Sequence, residues 1–327
     1  MLLKKLCDAN APSGYEGEVR DIIKKEIEEY VDDIVVDRMG NIIGHKKGNG
    51  KRVVVDVFMD EPGFIITGYN EDGTLKFDLL GSLDTEIIPC KTVYIGKDKI
   101  NGVIGIKPIH LQGKAEREKI YDVNQLCIDI GANSKEEAKK IIPLGEYAVF
   151  TSQFESFGEG LFKGKALSSR LGCSILLELL KEEYNCDFYG VFSVQGELKG
   201  RGSYVSAYNI NPELVIAVKG SEISKENKRE MEISKVPIIS MMSQEEVLSP
   251  NIIMDMKAVA VKNNIPHEIG KCNTENGVLG SYSMSAEGTE IAEIIIPCKY
   301  ANTSIGVCSL EDYKNAFNLI NEFLKSL

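Results

Sequence analysis

The chain has 327 residues, 43% of them apolar and 27% charged, the balance of an ordinary globular protein with room for one large domain or two smaller ones. Forty-nine acidic residues against 38 basic ones give a net charge of −11, which argues against nucleic acid or an anionic membrane as the main partner. No apolar run approaches 18 residues, and Met1-Leu2-Leu3-Lys4-Lys5 leads straight into a capped helix, so neither a membrane span nor a signal peptide is expected. The eight cysteines (Cys7, Cys90, Cys127, Cys173, Cys186, Cys272, Cys298, Cys308) form no Cys-x-x-Cys pair and suit reduced thiols in a cytoplasmic protein. Histidine is scarce: His45, His110 and His267 are all there is.

In chain order, Ser13-Gly14-Tyr15-Glu16 has the form of a capping box, with Val19, Ile22, Ile23 and Ile27 on one helical face behind it. Two short strands over residues 34–36 and 41–43 turn at Met39-Gly40, and the apolar run over 53–58 reads as a buried strand. From about Gly63 to Gly164 short alternating strands are punctuated by Gly and Asp-Gly turns, the pattern of a small β domain. One helix interrupts it, with a second capping box at Ser134 and Glu137. Helix and strand then alternate: a helix around Leu171 to Leu180, a buried strand at 188–194, a helix at 202–208, a buried strand at 214–218, a helix at 251–263 and a strand at 294–296. A last helix capped by Ser309 carries Leu310, Tyr313, Phe317, Ile320 and Leu324. This order predicts a discontinuous α/β domain over 1–62 and 164–327, with a β-rich insertion over 63–163.

Several segments, in order along nearly the whole chain, resemble the M42 family of metallo-aminopeptidases. They are Pro12-Ser13-Gly14-Tyr15-Glu16, Gly102-Val103-Ile104-Gly105 with Lys107-Pro108-Ile109-His110-Leu111, Cys127-Ile128-Asp129-Ile130-Gly131-Ala132, Gly164-Lys165-Ala166, and Ile296-Pro297-Cys298-Lys299-Tyr300. The resemblance implies a three-layer α/β/α peptidase domain with a mixed central sheet, plus a small inserted β-barrel, PDZ-like, that builds dimer contacts. It also implies a cytoplasmic aminopeptidase that holds two zinc or cobalt ions and assembles as a homo-oligomer, from dimer to tetrahedral dodecamer.

The residues at the family's metal positions depart from its pattern. The family's His-Met-Asp-Glu stands as Phe58-Met59-Asp60-Glu61, and phenylalanine has no lone pair to give. Its Asp-Asp-Arg stands as Ser168-Ser169-Arg170, and a neutral hydroxyl does not balance two dications. Its Glu-Glu pair stands as Gly196-Glu197, so the general-base position is Gly196 and one ligand carboxylate remains. The strand-tip Asp aligns with Lys219, the last His with Asn302, and the Gly-Thr-Asp-Ala segment with residues 276–279. These exchanges predict no bound metal and an ion pair between Glu197 and Lys219 in the place of the cations. Asp60 and Glu61, which flank a ligand histidine in the family, are expected to keep hydrogen-bonded structural roles. Ser168 and Ser169 read as the N-cap of a helix beginning near Arg170.

The reading is a pseudoenzyme that binds peptides, joins and adjusts an active M42 paralogue, or serves as a structural subunit. The rival is an active hydrolase, working through an altered metal site or through Ser168 or Ser169 with Lys219 as base.

Overall fold

A computed structural model describes residues 2–113, 122–222, 236–243, 246–272, 277–285 and 287–327. Its backbone is a large mixed sheet, covered by helices on both faces, with a closed β-barrel set into the chain between the third strand of that sheet and its return. The α/β architecture and the small barrel expected from the sequence are both present.

The barrel is built from β4 (Gly63–Tyr69), β5 (Leu75–Leu80), β6 (Thr92–Ile95), β7 (Ile100–Gly105), β8 (Cys127–Asp129) and β9 (Tyr147–Phe150), all antiparallel and closed in the order β4-β5-β8-β7-β6-β9. Its core is a cluster of its own, centred on Phe64, Phe77 and Phe150, whose rings meet edge to face at 5.1 Å. The α3 helix (Lys135–Ile141) lies between β8 and β9, and Ser134 caps it by accepting from the Glu137 backbone N–H.

In the large sheet, β1 (Asp33–Val36) and β2 (Ile42–Lys46) form a hairpin that runs into β12 (Asp187–Ser193). Then β3 (Arg52–Phe58), β13 (Leu214–Ser221) and β17 (Glu290–Lys299) follow in parallel register with β12. These four are buried on both faces, which is why β3 reads as an unbroken apolar run rather than an alternating one. The sheet continues through β18 (Gly306–Ser309), β11 (Leu161–Gly164) and β10 (Glu155–Phe157), while β14 (Ile238–Ser243), β15 (Glu246–Val247) and β16 (Glu268–Cys272) branch from β17. The sheet therefore resumes at Glu155, ahead of the expected boundary at residue 163. The β10–β11 hairpin, short and Gly-punctuated like the barrel strands, belongs to the large sheet because β11 pairs with β18.

One face carries α1 (Leu2–Asp8), α2 (Gly17–Ile27), α4 (Leu167–Leu179), α6 (Pro250–Lys262) and α8 (Leu310–Ser326); the other carries α5 (Arg201–Ile210) and α7 (Gly277–Ser283). Two expected caps are corrected. Ser13 does not cap α2: its Oγ donates to Asp60 Oδ2 at 2.5 Å, while Glu16 accepts from the backbone N–H groups of Gly14 and Gln195. The helix α4 begins at Leu167 rather than near Arg170, after an Ala166 in left-handed conformation, so Ser168 and Ser169 lie inside its first turn.

Asp312, in the first turn of α8, is fully buried, and neither carboxylate oxygen has a hydrogen-bond partner among the described residues. Burial, then the neighbouring Glu311 charge, push its carboxyl up from the ordinary 3.8 to about 7. The folded state thus holds a proton that the unfolded chain gives up near pH 4. Asp312 contributes stability below that pH, and the contribution fades as pH rises through about 7. Asp312→Asn is expected to raise the melting temperature at pH 8, on the order of 2 °C, and to change it far less at pH 4. Thermal melts at the two pH values check this.

Candidate functional site

The four parallel strands end together at Phe58, Ser193, Ser221 and Lys299, and the loops that leave them converge where an open α/β sheet places its ligands. A recess there is lined by Glu61, Lys165, Ser168, Ser169, Glu197 and Thr303, with Leu83 and Phe150 contributed from the barrel side. It is narrow: the space open to the centre of a water molecule is about 10 Å³, room for one water.

Beneath the recess lies a buried charge cluster. Lys165 Nζ sits 2.7 and 2.9 Å from the two oxygens of Glu61 and also donates to Ala9 O at 2.9 Å and Asn10 Oδ1 at 3.1 Å. Burial holds the Lys165 ammonium below its ordinary pKa, against the pull of Glu61. Arg170 is fully buried, reaches Glu61 Oε1 at 3.2 Å and donates to the carbonyls of Leu6 and Met59 and to Ser169 Oγ. The remaining lone pairs of Glu61 take the Ala11 backbone N–H at 2.9 Å. Every ionised member therefore has several partners.

Asp60 is also fully buried and accepts from Ser13 Oγ and from the backbone N–H groups of Gly196 and Glu197, at 2.8 and 3.0 Å. Burial, opposed by these hydrogen bonds and aided by the Glu16 charge, holds its carboxyl above the ordinary range. Glu197 is half-buried and packs against Gly81, where an added Cβ would stand 2.9 Å from Glu197 Cβ. Burial first, and the Asp60 charge second, raise its carboxyl well above the ordinary range; the charges of Lys219 and Arg170 pull the other way and lose.

The residues at the family's metal positions are brought together only in part. Ser168, Ser169 and Glu197 share the recess; Phe58, Lys219 and Asn302 do not line it. Ser168 Oγ donates to Gly220 O at 2.8 Å, tying α4 to the end of β13, and Ser169 Oγ donates to Ala166 O at 3.2 Å. Asn302 is exposed, while its neighbours Ala301 and Thr303 face the recess. Lys219, expected beside Glu197, makes a salt bridge to Glu293 Oε1 at 3.9 Å, both residues buried. Glu293 lies on β17 beside β13, opposite Ala217 and two residues before Ile295, the register partner of Lys219. The Lys219 ammonium also acts on Glu197, as a charge opposing the effect of burial. Asn276, first in the counterpart of the Gly-Thr-Asp-Ala segment, lies outside the described residues.

Two zinc or cobalt ions need several converging nitrogen or carboxylate donors. The donors present do not fit them. Phe58 offers none, the Ser168 hydroxyl is engaged with a carbonyl, and Glu61 is saturated by two cations. Among the described residues, no three His, Cys, Asp or Glu side chains meet in a group that could hold a metal ion.

Lys165 and Arg170 are the site residues that the sequence reading passed over. Arg170 carried a signal: an arginine between Ser169 and the apolar Leu171, on the core face of a helix, demands a buried partner. Lys165→Met, which leaves Glu61 with one cation in a dry setting, is expected to cost about 3–5 kcal/mol of folding stability, measured by urea or guanidinium unfolding.

The M42 glutamyl aminopeptidase family model matches residues 40–319. Over its full length the chain is 32% identical to the FrvX protein of Escherichia coli (strain K12), covering 95% of that protein. It is 27% identical over its full length to the lysyl aminopeptidase of Pyrococcus furiosus, covering 96% of it. Among solved structures, a TET aminopeptidase from Thaumarchaeota archaeon SCGC AB-539-E09 superposes with a TM-score of 0.94 at 28% identity, covering all of this chain and 96% of that one. The TET1 peptidase of Pyrococcus horikoshii, described as assembling into a tetrahedron or a large octahedral shell, gives 0.91 at 26% identity, covering all of this chain and 99% of that one.

Proposed function

The chain belongs to the M42 peptidase family, and we propose that it is a catalytically silent member, a peptide-binding or regulatory and structural subunit without metal-dependent cleavage. One observation carries this reading: of the five ligand positions only Glu197 keeps a carboxylate. The general base that would activate a water is replaced by Gly196, which has no side chain. The Ser/Lys route gains little support. Ser168 is bonded to Gly220 O, and Lys219 pairs with Glu293.

The second reading, an active aminopeptidase, draws on the full-length likeness to proteins named for that activity. Aminoacyl-4-nitroanilide hydrolysis, measured with added Co²⁺, Zn²⁺ or EDTA beside elemental analysis of the purified protein, separates the two. The silent subunit is expected to give no turnover above the background of Glu197→Ala and less than a tenth of a metal ion per chain. Metal-dependent turnover that vanishes in Glu197→Ala would overturn it.

We further propose a homo-oligomer, by analogy with the tetrahedral and octahedral assemblies of the TET relatives. Light scattering on the eluted peak is expected to give about twelve times the 36.1 kDa chain mass, or the mass of a smaller closed assembly. A monomer at micromolar concentration would remove this part.

A further inference from the structure

Gly196 is more than a position that has lost a side chain. A Cβ built there would stand 2.3 Å from Phe58 Cβ, 2.5 Å from Cγ and 2.9 Å from Cδ2. Non-bonded carbons settle at about 3.5–4.0 Å, so even alanine at 196 requires the loop and the end of β3 to part by about 1 Å. The first of these contacts is to a Cβ, which histidine at position 58 would share. The conflict therefore belongs to the backbone as much as to the ring.

Three carboxylate contacts hold the backbone in this position. Asp60 takes the N–H groups of Gly196 and Glu197, and Glu16 takes that of Gln195 at 3.0 Å. The loop itself is bent by positive φ angles at Gln195 (55°), Lys199 (65°) and Gly200 (66°), a conformation that non-glycine residues adopt only when their surroundings impose it. Phe58 is only 6% exposed, so the glycine face covers its ring.

We infer that Asp60, Phe58 and Gly196 form a latch: Asp60 draws the loop after β12 onto the end of β3, and Phe58 and Gly196 are a matched pair that only this closed position accommodates. A carboxylate cannot be restored at 196, nor a metal site rebuilt, by exchanging side chains one at a time. The consequence for metal rests on the function proposed above; the latch itself rests on the distances. Asp60 acts here as a positioning residue, through backbone amides.

A double-mutant cycle on the full chain tests it, with melting temperatures for wild type, Gly196→Ala, Phe58→Gly and the double variant. Gly196→Ala is expected to lower the melting temperature by about 5 °C or more in the wild-type background, and by less than half as much beside Phe58→Gly. Equal losses in both backgrounds would overturn the pairing. Should Gly196→Ala fail to fold alone, folding regained in the double variant supports the pair and continued failure overturns it. Amide exchange reads the positioning role: in Asp60→Ala the Gly196 and Glu197 amides are expected to exchange about tenfold faster or more, and unchanged rates would remove Asp60 from the latch. The two claims fail separately. Zinc-dependent turnover by the wild type would end the proposed function and leave the cycle intact, whereas additive melting shifts would end the latch alone.

Discussion

The Glu61–Lys165–Arg170 cluster is the constraint around which the site is organised. Moving an ion out of water costs several kcal/mol even after relaxation, whereas a pair of unit charges about 3 Å apart gains about 5 kcal/mol at an effective dielectric near 20. Three ions with one contact apiece would therefore be a liability. The balance changes because Lys165 and Arg170 also donate to carbonyls of Leu6, Ala9 and Met59, groups that would otherwise be buried at chain ends and turns without donors. The cluster joins the end of α1, the end of β3 and the first turn of α4, which are far apart in the sequence. It fixes the floor of the recess irrespective of what the recess holds.

On the proposed reading, that separation of floor from contents lets a chain keep the family's fold while its ligand positions change. Asp60, Glu61 and Glu197 remain carboxylates, and the first two have backbone clients: the Gly196 and Glu197 amides for Asp60, the Ala11 amide for Glu61. Removing either would strand a buried N–H, a penalty of about 1–3 kcal/mol that has nothing to do with metal. Phe58, Ser168, Lys219 and Asn302 carry no such burden toward the recess, since Phe58 packs, Ser168 ties α4 to β13, Lys219 turns to Glu293 and Asn302 is exposed. In the proposed reading, positions whose bonds serve the backbone persisted and those whose bonds served the ions were free to vary. Fold and chemistry come apart along that line.

Much of the architecture was legible from pattern alone. The apolar run of β3, the alternating strands of the barrel and the Ser309-capped last helix follow from periodicity and capping, which are local properties. What pattern misjudged was the use of polar groups. Ser13, Ser168 and Ser169 sit at helix starts and have the composition of caps, yet their hydroxyls serve Asp60, Gly220 and Ala166. A hydroxyl's partner is decided by whichever unsatisfied group the fold brings near, and that group can be 47 residues away. The Lys219–Glu293 salt bridge was missed for the same reason: strand register sets Glu293 near it, and register between distant strands cannot be read from either segment alone.

The closed loop after β12 carries the reasoning one step further, because it bears on what family membership means for a site. A substitution table would score position 196 as a lost base and position 58 as a lost ligand, two independent defects, each repairable. The geometry couples the two positions, since a Cβ at 196 would stand 2.3 Å from Phe58 Cβ and no side chain fits there unless the backbone moves. The backbone in turn is held by Asp60, a residue that matches the family and would count as evidence for an intact site. A matching residue can therefore support a different arrangement from the one it matches. For this protein the informative quantity is which atoms each retained side chain touches, and by that measure Asp60 serves the Gly196 and Glu197 amides of the loop after β12.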